Sequence, residues 1–185
     1  MRRYRLEDAL HWPSYLSAAR VPLGALFVAT VDRPWQAVLV LAAAALTDVA
    51  DGWLARRMRL ANATGALIDG LSDKVFVACV AYALLSTGRI GGLGVLALAT
   101  RELGELALLA WYLLGRAHRR RGAPLPSADA LGKATTISQF LAVLLALLAP
   151  AGLRPVLVGT AVLGTVSAAR YLRREVARLT TEPLG

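Results

Sequence analysis

The chain has 185 residues, 57% of them hydrophobic, a formal net charge of +9 and a mean hydropathy of +0.54. That apolar share exceeds what a soluble domain carries and implies an integral membrane protein. The basic balance does not imply nucleic acid, because the arginines and lysines stand in short clusters between apolar runs with no aromatic stacking platform beside them. Anionic lipid and phosphate-bearing substrates fit that charge better.

Residues 1–12 form an N-terminal segment in which Arg2, Arg3 and Arg5 alternate with Tyr4 and Leu6 ahead of Leu10 and Trp12, the pattern of a cytoplasmic interfacial helix. A cleaved signal peptide is the competing reading, but Pro13 and Arg20 interrupt it and further apolar segments follow. Apolar segments of roughly spanning length lie at 13–31, 35–54, 66–87, 90–115, 135–150 and 152–172. They predict an all-α domain of six transmembrane helices over 13–175, with a tail at 176–185. Asp32-Arg33-Pro34, the glycine-rich stretch 87–92, the stretch 122–127 and the two prolines of 150–155 separate the segments. The single cysteine, Cys79, lies inside an apolar run, so it forms no intramolecular disulfide and reads as a packed side chain.

Orientation follows from the basic residues. Fifteen fall in the N-terminal tail, the 55–64 and 116–134 loops and the stretch from Arg170, all on one side, against Arg33, Arg89 and Arg154 on the other. Arg20, Lys74 and Arg101 fall inside proposed spans. The expectation is a multi-pass protein of the cell membrane with both termini cytoplasmic. Arg119, Arg120 and Arg121 read as a topology anchor and lipid contact, or as a vestibule attracting an anionic acceptor.

Residues 47–75 then raise a physical question, since four aspartates stand at apolar borders where an unpaired carboxylate is costly. Asp48 and Asp51 are three apart and Asp69 and Asp73 four apart, so each pair shares one helix face about 5 to 6 Å apart along the axis. Facing one another, the pairs make a four-carboxylate cluster. Such a cluster suits hard divalent cations, and Mg²⁺ or Mn²⁺ would leave positions open for phosphate oxygens. Two ions would offset most of the carboxylate charge. Gly52, Ala55 and Gly65 would let a ligand or neighbouring helix approach the backbone closely, and Arg56 is suited to a diphosphate. His11 and His118 read as interfacial residues, since oxygen ligands are already supplied. On spacing alone, the same aspartates also fit the ion path of a small divalent-metal transporter.

The run Asp48-x-x-Asp51-Gly52-x-x-Ala55-Arg56, eight residues, then Gly65-x-x-x-Asp69-x-x-x-Asp73 resembles the signature of the CDP-alcohol phosphatidyltransferase family at every fixed position. The resemblance implies a six-helix membrane enzyme with the CDP-alcohol phosphotransferase-like fold. Such an enzyme transfers a phosphatidyl group from CDP-diacylglycerol to an alcohol and releases CMP. It also implies that Asp48, Asp51 and Asp69 ligate metal, that Asp73 is both ligand and proton acceptor, and that Gly52 and Arg56 contact the nucleotide and its diphosphate. A homodimer is an assembly that occurs in the family.

Further stretches agree. Residues 13–20 resemble a first-helix pattern Pro-Asn-x-Leu-Thr-x-x-Arg, with Ser14 and Ser17 in place of the Asn and Thr. Those hydroxyls would meet the cytidine of CDP-diacylglycerol, or else cap the helix start. Leu71–Val75, Thr100-Arg101-Glu102 and residues 132–139 are similar to the phosphatidylglycerophosphate synthase and cardiolipin synthase branch. The last resembles Gly-Lys-x-Lys-Thr-x-x-Gln, with Thr135 where the second lysine stands.

Arg101 has two readings: an intrahelical pair with Glu105, or a clamp with Lys133 on the phosphate of the acceptor. Glycerol-3-phosphate is the expected acceptor, phosphatidylglycerol the second, and inositol phosphate or serine the third. The expected chemistry is direct in-line transfer, with Asp73 taking the proton of the acceptor hydroxyl.

Overall fold

A computed structural model describes residues 17–58, 63–114 and 130–181. Among them are six α-helices and no strand: α1 Arg20–Thr30, α2 Pro34–Met58, α3 Ala63–Ser86, α4 Gly92–Leu114, α5 Ala130–Leu148 and α6 Leu153–Thr181. A short 3₁₀ turn, Pro150–Gly152, joins the last two. The proposed interfacial helix at 1–12 and Ser14 lie outside the described residues.

Local chemistry accounts for the breaks. Pro34 opens α2 at the first helical position, where its missing N–H costs nothing. Past the end of α3, Gly88 takes φ +68, a left-handed conformation open to glycine, and the N–H groups of Gly88 and Arg89 donate to Leu85 and Leu84 carbonyls at 3.0 and 2.9 Å. Pro155 is tolerated because it sits in the first turn of α6. Hydropathy alone ends the sixth segment at 172, yet α6 continues to Thr181, past the 175/176 boundary expected for the tail. Residues 173–178, Arg-Arg-Glu-Val-Ala-Arg, are rich in good helix formers, so the helix outlasts its apolar stretch.

The chain divides into two compact units, Met1–Ile90 and Gly91–Gly185. In the first, α1 packs on α2 and α3. Phe27 and Phe76 meet edge to face with centroids 6.4 Å apart, and Val40, Leu41, Val80 and Leu84 complete a buried apolar core. A Cβ on Gly24 would stand 3.1 Å from Cys79 Sγ, so the absence of a side chain there lets α1 approach α3 closely. Cys79 is thus packed, as its setting predicts.

Within this unit the helices alternate in direction. Arg20 at the start of α1 reaches Asp69 and Asp73 early in α3 and Asp51 late in α2. At the other end, Arg89 Nη2 donates to the Val31 carbonyl at 3.2 Å, satisfying an acceptor past the end of α1. Asp51 is seventeen residues from Pro34, about 25 Å along the axis of α2.

In the second unit, α6 packs on α4 and α5. A Cβ on Gly104 would come within 2.5 Å of Ala168 Cβ, and one on Gly164 within 3.0 Å of Thr100, so small residues again set the helix approach.

Two stretches, Leu131–Leu148 and Pro150–Arg170, are long and apolar enough to cross a membrane. The other long helices carry charges within their apolar stretches: Asp48 and Asp51 in α2, Asp69, Asp73 and Lys74 in α3, Arg101 and Glu102 in α4. Large apolar side chains such as Leu39, Leu71, Leu93 and Ile137 are exposed on the bare protein. A water-soluble surface would not carry so many.

Candidate active site

Helix spacing places two carboxylates on α2 and two on α3, and the packing of α1 brings a cation between them. Arg20 is buried, with 2% of its surface exposed. Its Nη1 lies 3.2 Å from Asp48 Oδ1 and 3.6 Å from Asp73 Oδ1. Its Nη2 donates to Asp51 Oδ2 at 2.6 Å and to Asp69 Oδ1. A planar guanidinium with a rigid fork of donors is the side chain able to hold several carboxylates at once. A buried arginine without such partners would be prohibitively costly.

Asp51 is the buried member of the cluster, with 7% of its side chain exposed against 60% for Asp48, 47% for Asp69 and 51% for Asp73. Besides Arg20 it accepts a 2.8 Å hydrogen bond from Ser17 Oγ. Cytidine contact and helix capping are the roles the sequence offers Ser17. Its bond to Asp51 is a third, in which the hydroxyl orients a carboxylate.

Asp48, Asp51 and Asp69 each offer an oxygen within 4.8 Å of the others. The donor set is carboxylate oxygen with neither imidazole nor thiolate, which fits a hard divalent cation. Asp73 stands outside that tightest group and joins the cluster through Arg20. Gly52, Ala55 and Arg56 lie in α2 and Gly65 in α3, on the cluster-bearing stretches, but their side chains are outside those described.

Arg20, at the centre of the cluster, is the residue to which the aspartate spacing gives no role. A signal for it exists: an arginine inside an apolar span needs an acidic partner, and the four aspartates were the available ones.

The second unit carries a separate polar seam. Arg101 Nη1 donates to Thr136 Oγ1, and Gln139 Nε2 donates to the Leu98 carbonyl at 2.7 Å and to Glu102 Oε2 at 2.9 Å. The residues of the Thr100–Glu102 and 132–139 motifs therefore meet across the α4–α5 contact. Lys133 is exposed on α5, one turn before Thr136 and so on the same face. Thr135, in the position of the motif's second lysine, is buried and donates to the Leu131 carbonyl at 2.9 Å. It does not supply a substitute cation. The expected partner Glu105 has a side chain outside those described.

The family model for CDP-alcohol phosphatidyltransferase matches residues 10–167. A similar protein is the CDP-diacylglycerol–glycerol-3-phosphate 3-phosphatidyltransferase 1 of Arabidopsis thaliana, chloroplastic/mitochondrial, 35% identical over 68% of this chain and 37% of that protein. The cardiolipin synthase (CMP-forming) of Streptomyces coelicolor is 31% identical over 79% of this chain and 69% of its own length. The CDP-diacylglycerol–glycerol-3-phosphate 3-phosphatidyltransferase of Rickettsia bellii is 30% identical over 49% of this chain and 52% of its own. The match runs through the first-helix pattern, the α2–α3 aspartates and the α4–α5 motifs alike, and with it the chain belongs to the CDP-alcohol phosphatidyltransferase family.

Proposed function

We propose that this protein transfers a phosphatidyl group from CDP-diacylglycerol to glycerol-3-phosphate and releases CMP. The observation that carries the reading is the gathering of Asp48, Asp51, Asp69 and Asp73 around one point, with the spacing of the family's signature. Asp48, Asp51, Asp69 and Asp73 would hold two divalent ions, Mg²⁺ or Mn²⁺, with the first three offering the tightest oxygen group, and the ions would supply charge neutralisation on the diphosphate. Asp73 takes the proton of the acceptor hydroxyl. The hydroxyl oxygen bonds to the phosphorus that bears diacylglycerol, and the bridging bond breaks, its electron pair leaving with CMP. Arg56 and Gly52 contact the nucleotide and diphosphate, and Ser14 contacts the cytidine.

The test is incubation of the purified protein with CDP-diacylglycerol and a panel of alcohols, reading CMP release and lipid product by mass. Product with glycerol-3-phosphate supports the reading. Mn²⁺ uptake into liposomes without any turnover would favour a transporter instead.

The active site lies near the cytoplasmic face of a six-span protein with both termini cytoplasmic. Supporting this are the fifteen basic residues against three, the exposed apolar surface, and the separation of the aspartates from Arg33 and Arg89 at the two ends of the first unit. In a Cys79→Ala background, Arg57→Cys and Arg33→Cys should label from opposite sides of sealed membranes. Labelling from one side would break the topology.

Arg101 and Lys133 hold the dianionic phosphate of the acceptor. Arg101→Gln should lower kcat/KM for glycerol-3-phosphate roughly tenfold to over a hundredfold, the loss of one charge-assisted contact of about 1.5 to 3 kcal/mol, with CDP-diacylglycerol affinity little changed. Phosphatidylglycerol as acceptor is favoured by the length of the match to the Streptomyces relative and by Thr135 in place of a lysine. A phosphodiester monoanion needs fewer cations. A folded Arg101→Gln protein with full efficiency, or a wild type that consumes phosphatidylglycerol and ignores glycerol-3-phosphate, selects that second reading.

A further inference from the structure

Four carboxylates surround a single guanidinium, which by formal charge leaves the cluster three charges short of neutrality. One divalent ion beside Arg20 would leave one negative charge, and two beside it would overshoot to one positive. Two ions with Arg20 withdrawn neutralise the cluster. The same oxygens are also in demand, since Arg20 Nη2 engages Asp51 Oδ2 at 2.6 Å and Asp69 Oδ1, and both residues belong to the metal-fitting group. A cation at bonding distance from those oxygens would meet the guanidinium at close range, where like charges repel strongly in a partly desolvated setting.

Two features make Arg20 exchangeable rather than a permanent lock. Asp48, Asp69 and Asp73 are about half exposed, so an ion reaches them without opening the core. The guanidinium is not saturated either: among the described residues its Nε has no hydrogen-bond partner, a deficit in a group otherwise buried.

We infer that Arg20 is a tethered counter-ion that exchanges with divalent metal. It holds the four carboxylates together, yields Asp51 and Asp69 as an ion enters, and thereby sets the metal affinity of the site. It is a positioning residue, and the inference rests on metal ligation by these aspartates as proposed above.

The experiment titrates Mn²⁺ alone into purified protein in nanodiscs free of CDP-diacylglycerol, reading free Mn²⁺ by electron paramagnetic resonance. Arg20→Gln should bind Mn²⁺ at least about tenfold more tightly than wild type, whereas Arg20→Lys, which keeps the charge, should stay within about threefold. In chelator, Arg20→Gln should melt below wild type, and Mn²⁺ should raise its Tm by more. Equal or weaker Mn²⁺ binding by folded Arg20→Gln overturns the exchange. If that variant is stable only with ion, it is prepared in Mn²⁺ and mixed with chelator, where slower Mn²⁺ release than wild type supports the exchange and equal or faster release overturns it. Asp51→Asn separates the two levels. A wild type that binds no Mn²⁺, or binds it identically in Asp51→Asn, removes the metal reading and the exchange with it; normal wild-type binding with no tightening in Arg20→Gln removes only the exchange.

Discussion

Asp73→Asn should lower turnover by about 10² to 10⁴, the usual contribution of a positioned general base. Asparagine matches aspartate in size but cannot accept the proton of the acceptor hydroxyl. The effect should be confined to the chemical step. Asp73 lies outside the group of three oxygens within 4.8 Å, its approach to Arg20 is the longest of the four at 3.6 Å, and half its side chain is exposed. Removing its charge should therefore leave metal and CDP-diacylglycerol binding within a few-fold of wild type. Turnover is measured as CMP release under saturating substrate, and donor affinity by equilibrium binding in Mn²⁺. Near-normal turnover in Asp73→Asn would remove this residue from the base role.

Asp51→Asn should do the opposite, damaging the site before any chemistry begins. Asp51 is the one buried carboxylate of the cluster, tied to Arg20 at 2.6 Å and Ser17 at 2.8 Å. Losing a hydrogen bond to a charged group costs about 1.5 to 3 kcal/mol. The larger penalty of a stranded buried charge does not apply, because Arg20 keeps Asp48, Asp69 and Asp73. The variant should melt lower than wild type, and its activation curve should move to about tenfold higher Mg²⁺ or Mn²⁺, since a carboxylate ligand has become a neutral amide. An unchanged Tm together with an unchanged activation curve would count against Asp51 in both roles. A change in turnover at saturating metal alone would shift it toward the chemistry assigned to Asp73.

The features legible in the sequence are those set by neighbours along the chain. A spacing of three or four residues puts Asp48 with Asp51, and Asp69 with Asp73, on one helix face whatever the tertiary fold. Pro34 begins a helix and Gly88 ends one through their own backbone limits, and the apolar runs appear as helices near their expected places. Even so, the end of α6 was not readable from hydropathy, because helix propensity continues through Arg173, Arg174 and Glu175 after the apolar stretch stops. Other features depend on which helices meet. Arg20 bonds to carboxylates 31 and 49 residues away, a choice made possible where Gly24 lets α1 close against α3 beside Cys79. Ser17 turns to Asp51, Gln139 to Glu102, and Thr135, at the position of the motif's second lysine, is buried, all for the same reason. A buried polar group must find a partner, and the partners within reach are decided by packing between helices distant in the chain.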